Sequence, residues 1–259
     1  MLISQPHILA LDFDGVICDG LKEYFATTQK TYTQIWHEDT SEKTETLATN
    51  FYHLRPVIET GWEMPILLRA LVLNIDREKI LNQWSEVARD LVKTEQLDPK
   101  EIAHILDTVR DNWIKSDLDS WLELHQFFPG VIERLVKLIK SSPQLYIVTT
   151  KEGRFVNQLL ARQAIELPRA SIIGKECQRP KYETLRLLRD SITQDNPAIW
   201  FVEDRLKTLK LVQQQPDLAT VQLFLADWGY NTARERKAID QKIKLLSLPQ
   251  FTQDFTAWL

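Results

Sequence analysis

A chain of 259 residues, 44% hydrophobic, 26% charged and 9% aromatic, can bury its own core, either as one large domain or as a core with a sizeable insertion. No apolar run reaches the roughly 20 residues that span a bilayer, which argues against a membrane protein. A formal net charge of -4 argues against a nucleic-acid backbone as the main partner, since phosphate binding needs a positive face.

The N-terminus "MLISQPHILALDFDG" has no basic start and no long apolar stretch before a small-residue cleavage site, so a cytoplasmic location is expected. Two cysteines, Cys18 and Cys177, are too few for a disulfide framework or a structural zinc site. The first element is the apolar strand of "ILALDFDGVICDG", which runs into Asp12 and Asp14. Then "LKEYFATTQKTYTQIW", "MPILLRALVL", "REKILNQWSEVARDLVKT" and "PKEIAHILDTVRDNWIKS" carry apolar residues three and four apart, as in Ile80, Trp84, Val87 and Leu91. That spacing predicts amphipathic helices, so residues 19–128 are expected to be all-helical. Pro129 and Gly130 punctuate the chain before the helix "VIERLVKLIKSS".

After this point strands alternate with helices. The expected strands are "QLYIVTT" (144–150), "ASII" (170–173), "AIWFVED" (198–204) and "TVQLFLA" (220–226), with helices starting near Gly153, Lys181 and Arg205. Short apolar runs alternating with helical segments imply a doubly wound α/β parallel sheet of Rossmann-like type. The first strand belongs to this sheet, so the helical block is an insertion. The core is therefore expected at 1–18 and 129–259, with the inserted all-helical cap domain at 19–128.

In an open parallel sheet, ligands sit beyond the carboxyl ends of the strands. Asp12 and Asp14 end the first strand, Thr149, Thr150 and Lys151 the second, and Glu203 and Asp204 the fourth, while Lys181 opens the helix after the third. Asp-x-Asp-Gly alone is equally a turn-forming sequence, and it is not an EF-hand loop, because Gly15 follows the second Asp directly and a strand precedes. Acids, hydroxyls and lysines at the ends of different strands in one sheet are a stronger signal.

"LALDFDGVICDG", "YIVTTK", "RPKYETL" and "WFVEDR" resemble the four ordered motifs of the haloacid dehalogenase-like superfamily, and the helical insertion resembles its cap. "FFPGVIERL" resembles the segment by which the chain re-enters the core, and "ADWGYN" the Gly-Tyr turn after the last strand in phosphoglycolate-phosphatase-like members. The resemblance implies Asp12 as nucleophile, forming an aspartyl phosphate, and Asp14 as the acid that protonates the leaving oxygen and then activates water. It implies Thr149, with Thr150 beside it, as a holder of phosphoryl oxygens and Lys181 as the balancing cation. Mg²⁺ would be held by Asp12, the backbone carbonyl of Asp14, and Asp204. Where many members carry a second acid after the aspartate matching Asp204, this chain has Thr208, so Glu203 is expected as the second acid, direct or through water. Lys175 is the competitor to Lys181.

The resemblance thus implies an enzyme, a Mg²⁺-dependent phosphatase of small phosphorylated metabolites such as phosphoglycolate or a sugar phosphate. Asp14 favours phosphate esters over the dehalogenase and phosphonatase chemistries of the superfamily, which lack an acid there. A phosphomutase of the β-phosphoglucomutase type and a non-catalytic binding or regulatory protein are the alternatives. A cap that closes over the rim would favour small substrates. In its segment "HLRPVIETGWEMP", Arg55 is a candidate to grip a phosphate or carboxylate, or else a surface arginine paired with a nearby Glu. The five tryptophans of the insertion are expected mainly to pack its helices. Monomer and homodimer both remain open.

Overall fold

The structure is a computed structural model and describes residues 5–193 and 197–259. The described residues divide into two compact units, one formed by Met1–Asp19 with Gln126–Leu259 and the other by Gly20–His125.

The first unit holds the strands β1 (Ile8–Leu11), β2 (Cys18–Asp19), β3 (Gln126–Phe127), β4 (Gln144–Val148), β5 (Ile172–Ile173), β6 (Ile199–Glu203), β7 (Gln222–Ala226) and β8 (Ile243–Leu246). Among the described residues, six of them form one sheet in the order β5-β4-β1-β6-β7-β8, every neighbouring pair parallel. Parallel strands need crossovers, and helices Gly153–Ala161, Lys181–Asp190 and Leu206–Gln213 supply them, starting where the sequence places them. The fold class is therefore α/β with a doubly wound parallel sheet.

A strand buried on both faces reads as a continuous apolar run, as in the fully buried "ILAL" of β1 and "IWFVE" of β6. Alternation sorts the two faces. Ile199 and Phe201 pack with Leu185, Leu188, Leu206 and Leu209 of the crossover helices. Trp200 points the other way, with its ring 5.4 Å from Phe255 and 5.7 Å from Trp258 in the C-terminal segment.

Two departures from the sequence reading concern strands. β8 was not expected; it pairs with β7 beyond the turn that the sequence suggests as following the last strand. Within the segment expected to be all-helical, Asp19 and Gln126–Phe127 are instead strand, Asp19 pairing antiparallel with Gln126, and Phe127 with Cys18 just before the segment.

The second unit is built from helices Leu21–Trp36, Thr44–Leu54, Glu63–Val72, Arg77–Thr94, Pro99–Ser116 and Leu118–Glu123. Asp76, Asp98 and Asp117 cap three of them by accepting from the backbone N–H of Lys79, Lys100 and Ser120. The helix Arg77–Thr94 buries Ile80, Trp84 and Val87 as its periodicity predicts, and it is broken by non-helical backbone at Gln83. Glu23 lies in this interior with 1% exposure, yet accepts from Thr27 Oγ1 at 2.7 Å, Arg110 Nε at 2.8 Å and Trp121 Nε1 at 3.0 Å. A buried carboxylate with three donors ties the first helix to the last two of the unit. Trp84 and Trp121 are core residues, and Trp36 stacks on Tyr32. No helix among the described residues is long and apolar enough to cross a membrane.

Candidate active site

Register builds the site. Leu11 pairs with Ile147 of β4 on one side and Val202 of β6 on the other. The following residues, Asp12, Val148 and Glu203, stand at one rim, and Thr149 and Asp204 lie one step further. β1 connects toward β4, whereas β6 connects toward β7, so the β1/β6 boundary is the topological switch point where a parallel sheet opens a crevice.

At this boundary Asp12, Glu203 and Asp204 each offer a carboxylate oxygen within 4.8 Å of the others. All three residues are buried, Glu203 with no exposure. Burial, then the nearby Glu203 carboxylate, pushes the Asp12 pKa up to about 7. Burial, then Asp12, pushes Asp204 up to about 6. Burial raises Glu203 too, against the opposing pull of Lys181. Lys181 Nζ lies 2.7 Å from Asp12 Oδ1 and 2.7 Å from Glu203 Oε2. Burial works against its ammonium, but the two carboxylates outweigh burial and hold its pKa above the ordinary lysine value.

The backbone braces each acid. Asp12 Oδ1 also accepts from Phe13 N–H at 2.8 Å. Glu203 Oε1 accepts from Arg205 N–H at 3.0 Å, so both oxygens of Glu203 are engaged. Asp204 Oδ2 accepts from Tyr230 N–H at 2.7 Å, and its backbone carbonyl from Asn231 Nδ2 at 2.9 Å. After β1 the chain curls back, the N–H groups of Ile17 and Cys18 both meeting the Phe13 carbonyl. Gly15 makes this curl at φ +85°, and a Cβ there would sit 2.2 Å from Asp204 Oδ2. A Cβ on Gly229 would lie 2.3 Å from Asp204 Cβ. Both glycines are thus required by the close approach of the backbone to this carboxylate.

Asp14 leaves the turn toward Lys151, whose Nζ donates to Oδ1 at 3.1 Å and Oδ2 at 3.3 Å. Thr149 is buried, and its Oγ1 accepts from Lys151 N–H at 3.1 Å. Thr150 is exposed and lines, with Thr149 and Lys181, a cavity of about 390 Å³ that also presents Lys175 and Arg179. Asp12, Asp14, Glu203 and Asp204 are not among its lining residues. Lys175 itself is exposed, away from the Asp12 contact that Lys181 makes.

The structure therefore brings Asp12, Lys181, Glu203 and Asp204 into one cluster, with Asp14 and Thr149 linked to each other through Lys151. Arg55 belongs to the helical unit, where its Nη1 donates to the Ile58 carbonyl at 3.2 Å and its guanidinium lies over the Tyr24 ring. Reasoning from sequence missed the structural duties of Tyr230 and Asn231. The signal was the turn "ADWGYN", whose glycine and amide side chain are what a backbone wrapping around Asp204 needs.

Three buried carboxylates against one lysine suit a hard divalent cation: the donors are oxygens, the charge is uncompensated and the site is enclosed. The raised values of Asp12 and Asp204 carry a sign. The folded cation-free protein binds more protons than the unfolded chain between about pH 4 and 7, so these groups lower stability as pH rises through that window. Thermal unfolding of chelator-treated protein should show a falling melting temperature over this range, less steep in Asp204→Asn. Added Mg²⁺ should raise it more at pH 8 than at pH 5. A Mg²⁺ response equal at both pH values would contradict the assignment.

No protein-family model and no curated protein matches the sequence. Solved structures do match. A protein from Haemophilus somnus described as a predicted phosphoglycolate phosphatase is 15% identical, covering 99% of this chain and 97% of its own, with a TM-score of 0.60. A predicted phosphatase from Clostridium acetobutylicum is 14% identical over 96% and 97%, with a TM-score of 0.59. A haloacid dehalogenase-like family hydrolase from Streptococcus pneumoniae is 15% identical over 94% and 95%, with a TM-score of 0.55. At these identities the likeness is one of fold.

Proposed function

We propose that this chain, which has the haloacid dehalogenase-like fold, is a divalent-cation-dependent phosphohydrolase of small phosphate monoesters, working through an aspartyl phosphate on Asp12. The observation that carries the reading is the buried cluster of Asp12, Glu203 and Asp204 at the sheet's switch point, with Lys181 bonded to two of the three. Its likeness in fold to hydrolases and phosphatases supports the same class.

Oδ1 of Asp12 is taken by Phe13 N–H and Lys181, which leaves Oδ2 as the attacking oxygen. In the first step Oδ2 bonds to phosphorus, the bond to the leaving oxygen breaks, and Asp14 gives that oxygen a proton. In the second step water attacks the acyl phosphate, its proton passes to Asp14, and the Oδ2–P bond breaks to release phosphate. Lys181 faces the charge on Asp12 and the transferring group. Thr149 holds a phosphoryl oxygen, with Thr150 at the same rim. Asp12, Asp204, the Asp14 backbone carbonyl and Glu203, directly or through water, would hold Mg²⁺. When bound, the cation neutralises the carboxylates and the phosphate so that two anions can meet. Glu203, with both oxygens engaged, serves chiefly to position Lys181.

Lys181 against Asp12 and Lys151 against Asp14 support an anionic substrate, and Arg55 is proposed as a further anion contact from the helical unit. The test is phosphate release across a panel of phosphorylated two- to six-carbon metabolites, with Mg²⁺ and with chelator. Turnover of at least one ester, lost on chelation and restored by Mg²⁺, is expected. Release unaffected by chelation, or none from any ester, would count against the proposal.

A further inference from the structure

We infer that Lys151 is the positioning residue for Asp14 in the hydrolytic half of the reaction, and so governs how long the phosphorylated enzyme survives. The inference rests on the phosphohydrolase reading. Its basis is that one ammonium meets both carboxylate oxygens of Asp14, at 3.1 and 3.3 Å, with the two side chains 9% and 18% exposed. A carboxylate held by both oxygens has its rotamer fixed, and a catalytic group is effective only within a narrow range of positions.

The lysine is itself held in place. Its N–H donates to Thr149 Oγ1 at 3.1 Å, and its carbonyl accepts from Lys175 N–H at 3.0 Å. A Cβ on Gly174 would come 2.7 Å from that carbonyl and 2.5 Å from the Gly153 nitrogen, so only glycine lets the two segments meet this closely. Glu176 then accepts from Gly153 N–H at 3.1 Å and caps the helix that follows. The loop after β5 thus clamps the backbone from which Lys151 reaches Asp14, 137 residues away in sequence. Such bracing fixes the position from which the ammonium meets the carboxylate.

Asp14 accepts the proton of the attacking water when the Oδ2–P bond breaks. Without Lys151 its carboxylate is free to take other rotamers, and that step slows. Formation of the acyl phosphate from an ester whose leaving group needs no proton is affected much less. The phosphoenzyme then lives longer before water attacks phosphorus, passes its proton to Asp14 and breaks the Oδ2–P bond.

The experiment compares wild type, Lys151→Met and Lys151→Arg with p-nitrophenyl phosphate and Mg²⁺ by stopped flow, with folding checked by circular dichroism. In Lys151→Met a burst of p-nitrophenolate within about threefold of the wild-type rate is expected. Steady turnover should fall about 10- to 100-fold, as expected for a catalytic group that is displaced rather than removed. The phosphoryl group on Asp12 should persist longer, and Lys151→Arg should restore most of the turnover. The inference is overturned if burst and steady rates fall together with a raised KM, or if Lys151→Met turns over normally. Loss of fold in Lys151→Met transfers the test to Lys151→Gln, read by the same burst-to-turnover ratio. A wild type that forms no phosphoenzyme removes the phosphohydrolase reading instead.

Discussion

Asp12→Asn is expected to lower steady turnover by at least about 10³-fold, with the protein still folded. The amide is nearly the same size and can still accept from Phe13 N–H through its oxygen, so packing at the end of β1 is kept. What disappears is the anionic oxygen that attacks phosphorus, and with it the covalent intermediate. The charge change acts in the opposite direction on stability. Asp12 is buried beside Glu203 and Asp204, and its pKa of about 7 reports how unfavourable its charge is there. The cation-free variant should therefore melt at the same temperature as wild type or higher at pH 8, while binding Mg²⁺ more weakly. Higher stability paired with lost activity is the mark of a residue kept for chemistry. An Asn variant with wild-type turnover would remove Asp12 from the mechanism.

Lys181→Met is expected to be the most destabilising single change at the site, by about 3–5 kcal/mol at pH 8 in chelator, because it leaves two buried carboxylates without their cation. The deficit should shrink at pH 5. Asp12 and Glu203, already raised, then take up protons and cease to need a counter-charge. Adding Glu203→Gln to Lys181→Met should recover part of the loss, since one of the two uncompensated charges is gone. Turnover should stay low in both, because Asp12 and the incoming phosphate still lack the ammonium. Chemical denaturation at the two pH values measures this directly. Equal stability of wild type and Lys181→Met at pH 8 would mean the pair carries no net interaction.

Much of this site was legible because chemistry in a parallel sheet collects where apolar runs end. "ILALD" and "WFVED" each announce a buried strand and the acid at its tip, and β1 and β6 prove to be neighbours. Helix starts at Gly153 and Lys181 were readable from the switch in period. The remaining features depend on long-range geometry. β8 is four residues long with Lys244 in its middle, and its stability comes from the β7 edge rather than from its own pattern. β2 and β3 are two residues each, below any periodicity, and exist because the chain must leave and re-enter one unit at neighbouring points. His37, Asn74, Gln96, Ala164 and Gln178 adopt positive φ without being glycine, so those turns carried no glycine signal. Gly15 and Gly229 were visible as breaks, but not as the two positions where backbone presses on Asp204. Lys151 read as one of the lysines near the strand ends. Only the folded chain sets it against Asp14.

The most direct test of the central claim is to quench the protein during turnover and reduce it with borohydride, which converts an aspartyl phosphate to homoserine, and then to sequence the peptide spanning β1 by mass spectrometry. The account predicts homoserine at position 12 and nowhere else, dependent on substrate and Mg²⁺. Steady phosphate release with residue 12 recovered only as aspartate, or with the modification at another residue, would contradict it.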